Sequence, residues 1–263
     1  MTLPRQLAFA LPHAESFARE DFLTGAPNEA ALAMIERWPD WPDRALALVG
    51  PEGAGKSHLA AIWAEIAGAR RVSARALGET DLMAALATGA LVIEDAPARL
   101  THVPQKACPA PGAGWVPVLR DGTCAKESPE QDDEAKRSRS ALDERALFHL
   151  LNLIREEEAF LLITAQAAPA RWQVALPDLA SRLRAVPAVA LSAPDDALLR
   201  AVLVKLFADR QLGVDMSLVS YLATRIERSF AAARAAVEAL DREALRMQRP
   251  VTRALAAELM REA

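Results

Sequence analysis

The stretch GPEGAGKS at residues 50–57 constrains this chain more than any other. It has the spacing G-x-x-x-x-G-K-[ST], and it lies between the apolar run RALALVG (44–50) and the helically spaced SHLAAIWAEIAG (57–68). Strand, glycine-rich loop and helix in that order form the context in which such a loop cradles phosphate. The glycines let backbone N–H groups turn inward around phosphate oxygens. The helix N-terminus adds its partial positive charge. Gly50, Glu52, Gly53, Ala54, Gly55, Lys56, Ser57 and the adjoining His58 are therefore the nucleotide-binding candidates. Lys56 would reach the β- and γ-phosphates and the Ser57 hydroxyl would ligate Mg²⁺. The His58 ring reads as a packing or solvated group rather than a catalytic one.

A phosphate loop needs an acidic partner. The run ALVIED (90–95) reads as a buried strand that delivers Glu94 and Asp95 at its carboxyl end, where open α/β sheets place their ligands. Glu94 is the candidate metal ligand, and Asp95 the candidate that polarises an attacking water. FLLITAQ (160–166) sets Thr164 and Gln166 at the end of another strand, in position to sense a γ-phosphate. RRVSA (70–74) and VPAVALS (186–192) complete five expected strands. Helical patterns alternate with them: ETDLMAALATG (79–89), LDERALFHLLNLIREEEA (142–159), with Leu147, Leu150, Leu151 and Ile154 on one face, and LPDLASRLR (176–184). The alternation predicts an α/β domain with a largely parallel sheet. Beyond Pro194 the pattern is helical only, in four pieces near 195–212, 216–226, 229–248 and 252–261, with Thr252 as an N-cap.

Two segments stand apart. Residues 101–140 hold five prolines, three glycines and the run SPEQDDEAKRSRS without clean periodicity, and they read as a disordered insertion. Both cysteines, Cys108 and Cys124, lie in it, too few for a disulfide framework and without a matched pair for a metal. A reducing, cytoplasmic setting follows. RQLAFALPH (5–13) precedes the first core element; its apolar part is broken by Pro12 and followed by acidic residues, so it fails as a secretory signal. No apolar run is long enough for a membrane span. The formal net charge of −4 shows no basic excess of the kind a DNA-binding surface carries.

The order of phosphate loop, acidic strand end, sensor-like strand, LPDLASRL and a helical lid resembles the AAA+ superfamily. More closely it resembles the DnaA-related Hda family, which inactivates the replication initiator DnaA. The resemblance is carried by FLTGAPNEAAL (22–32), GPEGAGKSHL, FHLLNLIREE, LLITA followed by Pro169, and LPDLASRL, and it covers nearly the whole chain except 101–140. It implies an AAA+ P-loop NTPase domain over residues 16–192, with a parallel five-stranded sheet, and a small all-helical lid domain over 193–263. It also implies ADP or ATP with Mg²⁺ as cofactors. A tail over residues 1–15 would bind the ring-shaped DNA polymerase sliding clamp through Gln6, Leu7 and Phe9, with Leu11 as an extra anchor. Burial of these apolar side chains contributes roughly 1.5–3 kcal/mol each. Ordering the backbone costs about 1–2 kcal/mol per residue. The surplus suits a contact no tighter than about micromolar, which a homodimer would strengthen by avidity on the ring.

The implied activity is negative regulation of chromosomal replication initiation. Arg182 would project into the nucleotide site of DnaA and speed hydrolysis of its bound ATP, with Arg184 beside it in the same run. DnaA itself carries a DNA-binding domain after its lid, whereas this sequence stops at the lid, so no direct sequence-specific DNA contact is expected. Two departures from the family pattern matter. The acidic pair runs Glu94-Asp95, where the family has an acid followed by Asp or Asn. The lid position that usually carries a phosphate-facing arginine falls on Ala231, with Arg228 and Arg234 three residues to either side. Arg228 is the candidate substitute; without one, intrinsic ATPase activity would be weak. Another AAA+ ATPase such as a helicase loader, or a non-catalytic clamp-binding adaptor with a vestigial phosphate loop, are the alternative readings.

Overall fold

The computed structural model describes residues 17–98, 100 and 142–262. The clamp-binding candidates Gln6, Leu7, Phe9 and Leu11 and the segment 101–140 lie outside the described residues. Five strands form one all-parallel sheet: β1 (Ala45–Val49), β2 (Arg70–Ser73), β3 (Ala90–Ala96), β4 (Phe160–Ala165) and β5 (Ala188–Ala190). Their spatial order is β2-β3-β4-β1-β5. The central strands are apolar on both sides because both faces of the sheet are covered. Ala45, Ala47, Leu91, Ile93, Leu161 and Ile163 face one core cluster. Leu46, Leu48, Ala90, Val92 and Leu162 face the other.

Helices α1 (Glu29–Glu36) and α2 (Lys56–Ala67) contribute to the second cluster. There Trp41 stacks on Trp63 with centroids 5.0 Å apart, and Trp38 meets Phe160 edge-on at 5.7 Å. The first cluster takes in α3 (Leu82–Ala85), α4 (Glu144–Glu156) and α5 (Pro177–Ala185). Leu147, Leu150, Leu151 and Ile154 of α4 are all buried, as their spacing predicts. The piece at 79–89 is mostly not α-helical. A 3₁₀ turn ends at Glu79, the Asp81 carboxylate caps α3 by accepting from the Ala84 N–H at 3.1 Å, and Gly89 turns out at φ 74°.

The remaining helices, α6 (Asp196–Asp209), α7 (Met216–Ala223), α8 (Phe230–Met247) and α9 (Arg253–Glu262), enclose a third apolar cluster around Leu199, Leu203, Phe207, Leu222 and Val237. Aspartate or serine caps start three of them, with Asp195, Asp215 and Ser229 accepting from first-turn N–H groups. This helical lid is tied back to the α/β layer ahead of α1. The Lys205 ammonium donates to Asp21 at 2.6 Å, and Leu198 packs on Gly25.

Candidate functional site

The loop after β1 ends on Gly55, at φ 94°, which is the N-cap of α2; Gly53, at φ 71°, also occupies the left-handed region that side chains disfavour. The turn holds Lys56 and Ser57 at the start of the helix. Lys56 is buried, and its ammonium donates to the carbonyls of Gly50 at 2.9 Å and Pro51 at 2.7 Å. Burial lowers its pKa from the ordinary lysine value, opposed by the charges of Asp95 and Glu52. A buried cation whose partners are two neutral carbonyls is poised to exchange them for phosphate oxygens. The Ser57 hydroxyl beside it is exposed.

His58 is buried and aromatic in its contacts. Its ring meets Phe17 at 5.4 Å and Phe22 at 5.2 Å, both edge-on, and its Nε2 is 3.1 Å from the Ala18 carbonyl. It binds the segment before α1 to the side of α2. That segment continues into FLTGAPN, shaped by Asn28, whose side chain accepts from the Gly25 N–H at 2.8 Å and donates to the Leu23 carbonyl at 3.0 Å. Phe22 reaches Gly55.

The carboxyl ends of β3 and β4 carry the acidic and sensor candidates, and the end of β4 meets the loop where the Gly50 N–H donates to the Ala165 carbonyl at 3.1 Å. β3 is in register with β4 through Ile93 and Ile163, then gains one residue before Ala96 pairs with Ala165. The extra residue makes a bulge, and Asp95 sits in it at φ 56°. Thr164, fully buried, accepts the Asp95 N–H at 3.0 Å. Glu94 instead forms an ion pair with Arg71 of β2 at 2.6 Å. Gln166 is exposed just past β4.

The lid completes the site from above. The Phe230 N–H donates to the Gly53 carbonyl at 2.9 Å, and the Phe230 ring lies on Gly55. A side chain at Gly53 would meet Ser229 Cβ at 2.8 Å and Ala231 Cβ at 3.3 Å. The lid residues that stand over the phosphate loop are therefore Ser229, Phe230 and Ala231, the last being the residue expected at the lid arginine's place. Arg228 is exposed and pairs with Asp196 at 2.9 Å, and the Arg234 guanidinium lies 6.0 Å from the Phe17 ring. Arg182, on α5, has its guanidinium 4.8 Å from the Phe148 ring and is half-buried. A cleft of about 670 Å³ opens elsewhere, between Leu100, Glu144, Trp172 and Arg184, and none of its walls belongs to the phosphate loop.

The structure places the predicted loop at the start of α2, Asp95 and Thr164 in contact at the ends of β3 and β4, Glu94 on Arg71, and Ala231 over Gly53. Sequence reasoning missed Ser229 and Phe230 as phosphate-loop contacts, because nothing local marks a residue nearly 180 positions away. It also missed Arg71, whose only signal is a charged residue on an edge strand. The donor set fits a Mg–nucleotide group: glycine N–H groups, one buried ammonium, one exposed hydroxyl and nearby carboxylates. Mg²⁺ is held in such sites by few protein ligands and by the phosphates themselves. The described residues contain no cluster of three or more His, Cys, Asp or Glu side chains that could hold a metal ion.

A parallel sheet ordered β2-β3-β4-β1-β5, a phosphate loop after its interior strand β1 and a helical lid over that loop make an α/β P-loop NTPase fold of the AAA+ type. No protein-family model matches the chain, and no curated protein matches it. Solved structures do. Domain III of the Thermotoga maritima replication initiation protein DnaA superposes with a TM-score of 0.63 at 16% identity, covering 94% of this chain and 96% of that one. The Aquifex aeolicus DnaA bound to AMPPCP gives 0.53 at 14% identity, over 84% of this chain and 64% of that one. The Thermotoga maritima RuvB Holliday junction branch migration motor gives 0.59 at 15% identity, over 94% and 72%. The chain thus spans nearly all of the DnaA module but about two thirds of the longer relatives. Among the described residues no helix is long and apolar enough to cross a membrane.

Proposed function

We propose that this protein is an AAA+ regulator of replication initiation that binds ADP or ATP with Mg²⁺ at Gly50–Ser57 and stimulates hydrolysis of the ATP held by DnaA. The observation that carries this reading is the likeness, over almost the full length of both, to the AAA+ domain of DnaA itself. Two modules of one fold can stack so that a side chain of one reaches the nucleotide of the other. Arg182 is the side chain assigned that role. Its contact with Phe148 contributes about 0.5–1 kcal/mol at such a site, small enough to release when phosphate charge is offered instead. An arginine supplied in trans is worth roughly 10³–10⁵ in rate.

Within its own site the chain binds rather than turns over. Lys56 and the glycine N–H groups would hold the phosphates, Ser57 and one carboxylate at the end of β3 would serve the metal and its waters, and the lid would cover them. Mg²⁺ would supply charge neutralisation between the phosphates. With Ala231 at the lid position, no arginine from that turn neutralises the γ-phosphate, and intrinsic hydrolysis is correspondingly weak. This favours the regulator over a self-sufficient ATPase such as a helicase loader. The tail residues Gln6, Leu7, Phe9 and Leu11 would deliver the protein to the sliding clamp on DNA, with residues 1–15, 16–192 and 193–263 as tail, nucleotide domain and lid.

The test is hydrolysis of DnaA-bound ATP with and without this protein and DNA-loaded clamp. Stimulation by the wild type, lost in Arg182→Ala while nucleotide binding persists, is expected. Stimulation unchanged in Arg182→Ala contradicts the role of that residue. No stimulation together with robust turnover by the isolated protein contradicts the regulatory reading. Deletion of residues 1–12 should abolish capture by clamp.

A further inference from the structure

The two carboxylates at the end of β3 are not equivalent. In a regular strand, alternation would put Glu94 on the face of Val92, toward α2 and the phosphate loop, and Asp95 on the opposite, apolar face. The register bears out the first half: Arg71 pairs with Val92 and Ser73 with Glu94, so Arg71 and Glu94 share that face. Yet Arg71 holds the Glu94 carboxylate at 2.6 Å, toward the edge of the sheet. The bulge undoes the second half. Ala96 takes the place opposite Ala165 and enters the apolar cluster, leaving Asp95 extruded and exposed. A non-glycine residue at φ 56° costs of order 1–2 kcal/mol, and such conformations persist only where the surroundings fix them. Here the fixing group is Thr164, which lies on the phosphate-loop side of β4 two residues after Leu162 and accepts the Asp95 N–H. The charge of Asp95, like that of Glu52, acts on the Lys56 ammonium.

We infer that Asp95, rather than Glu94, is the β3 carboxylate that serves the Mg²⁺ and its waters beside Lys56 and Ser57, and that Thr164 is the positioning residue that holds it there. This exchanges the roles that strand order suggests, and it rests on the nucleotide-binding reading above. Glu94 is engaged by Arg71 and stands aside.

The experiment is titration of the full chain with fluorescent ADP in Mg²⁺ and in EDTA. Wild type should bind more tightly in Mg²⁺. Asp95→Asn should lose that Mg²⁺ effect, roughly 10–100-fold in the Mg²⁺ concentration needed, while keeping its EDTA affinity. Glu94→Gln should keep the Mg²⁺ effect within about twofold, since its side chain is not at the metal by this geometry. Thr164→Val should weaken the effect and Thr164→Ser should retain it, because serine preserves the acceptor. Loss of the Mg²⁺ effect in Glu94→Gln, or its survival in Asp95→Asn, overturns the inference and leaves the nucleotide reading standing. If Asp95→Asn does not fold, Glu94→Gln decides by itself: retention supports the assignment and loss overturns it. Wild-type binding that Mg²⁺ does not tighten overturns the inference alone. No ADP binding by the wild type in either condition overturns both.

Discussion

Gly53 is where the lid and the phosphate loop press hardest, so Gly53→Ala tests their contact with a single methyl group. The new Cβ would stand 2.8 Å from Ser229 Cβ and 3.3 Å from Ala231 Cβ. Carbon atoms in contact prefer about 3.5–4.0 Å, so the methyl is roughly 0.7 Å too close to a short, helix-anchored neighbour that has no flexible end to yield. Forcing such an overlap costs about 1–3 kcal/mol. Gly53 also sits at φ 71°, and an alanine there adds about 1–2 kcal/mol. The sum, roughly 2–5 kcal/mol, is a large part of an ordinary domain's stability of about 5–15 kcal/mol. Relief by lid displacement would instead give up the Phe230 N–H bond to Gly53, worth about 1 kcal/mol. Urea denaturation of Gly53→Ala, Ser229→Gly and the double variant separates these terms. Ser229→Gly alone loses the cap on Ala232 and costs a few tenths of a kcal/mol. In the double variant it removes the obstructing Cβ, so about 1–3 kcal/mol should return. A Gly53→Ala cost below about 1 kcal/mol, or strict additivity in the double variant, would refute the docked lid.

Three other outcomes follow from the same contacts. Ala231→Arg places a guanidinium on the exposed first turn of α8 above the loop; it should tighten ATP relative to ADP by roughly tenfold or more, the worth of one charge-assisted hydrogen bond, measured by competition titration. Glu144, buried at the start of α4, accepts the N–H groups of Ala175 at 2.7 Å and Leu176 at 3.2 Å. Glu144→Ala should therefore cost about 2–5 kcal/mol in urea unfolding and weaken stimulation of DnaA along with α5, which those residues precede. Lys205 is raised above the usual lysine pKa, first by its hydrogen bond to Asp21 and then by Asp209. A raised folded pKa means its contribution is complete below the unfolded value of about 10.4 and is lost only as pH climbs through the folded value. Lys205→Met should thus lower stability by about 0.2–1 kcal/mol equally at pH 7 and pH 9, the difference vanishing only at higher pH.

What could be read from residue order was whatever local pattern determines. FLLITA is apolar but for Thr164, and β4 runs over Phe160–Ala165 as that pattern predicts. GPEGAGKS needs glycine at the positions that prove to have positive φ. Thr252 was legible as a cap, and its hydroxyl accepts the Leu255 N–H at 3.3 Å. What could not be read is set by partners far away in the chain. The bulge at Asp95 depends on Thr164 across the sheet, and no pattern in VIEDA announces it. Helix α1 went unmarked inside FLTGAPNEAAL because its start is set by the Asn28 side chain bonding back to Leu23 and Gly25. The capping of residues 175 and 176 by Glu144 joins two segments whose sequences carry no mutual signal.

Adenine nucleotide bound at Lys56 beneath a docked lid is the property from which the regulatory reading and the carboxylate assignment both descend. Equilibrium titration of the full chain with fluorescent ADP and ATP, beside Lys56→Ala, measures it directly. Saturable binding of both nucleotides by the wild type, lost in Lys56→Ala, is the expected result. No binding at millimolar nucleotide, or binding that Lys56→Ala leaves unchanged, would show a vestigial phosphate loop and contradict it.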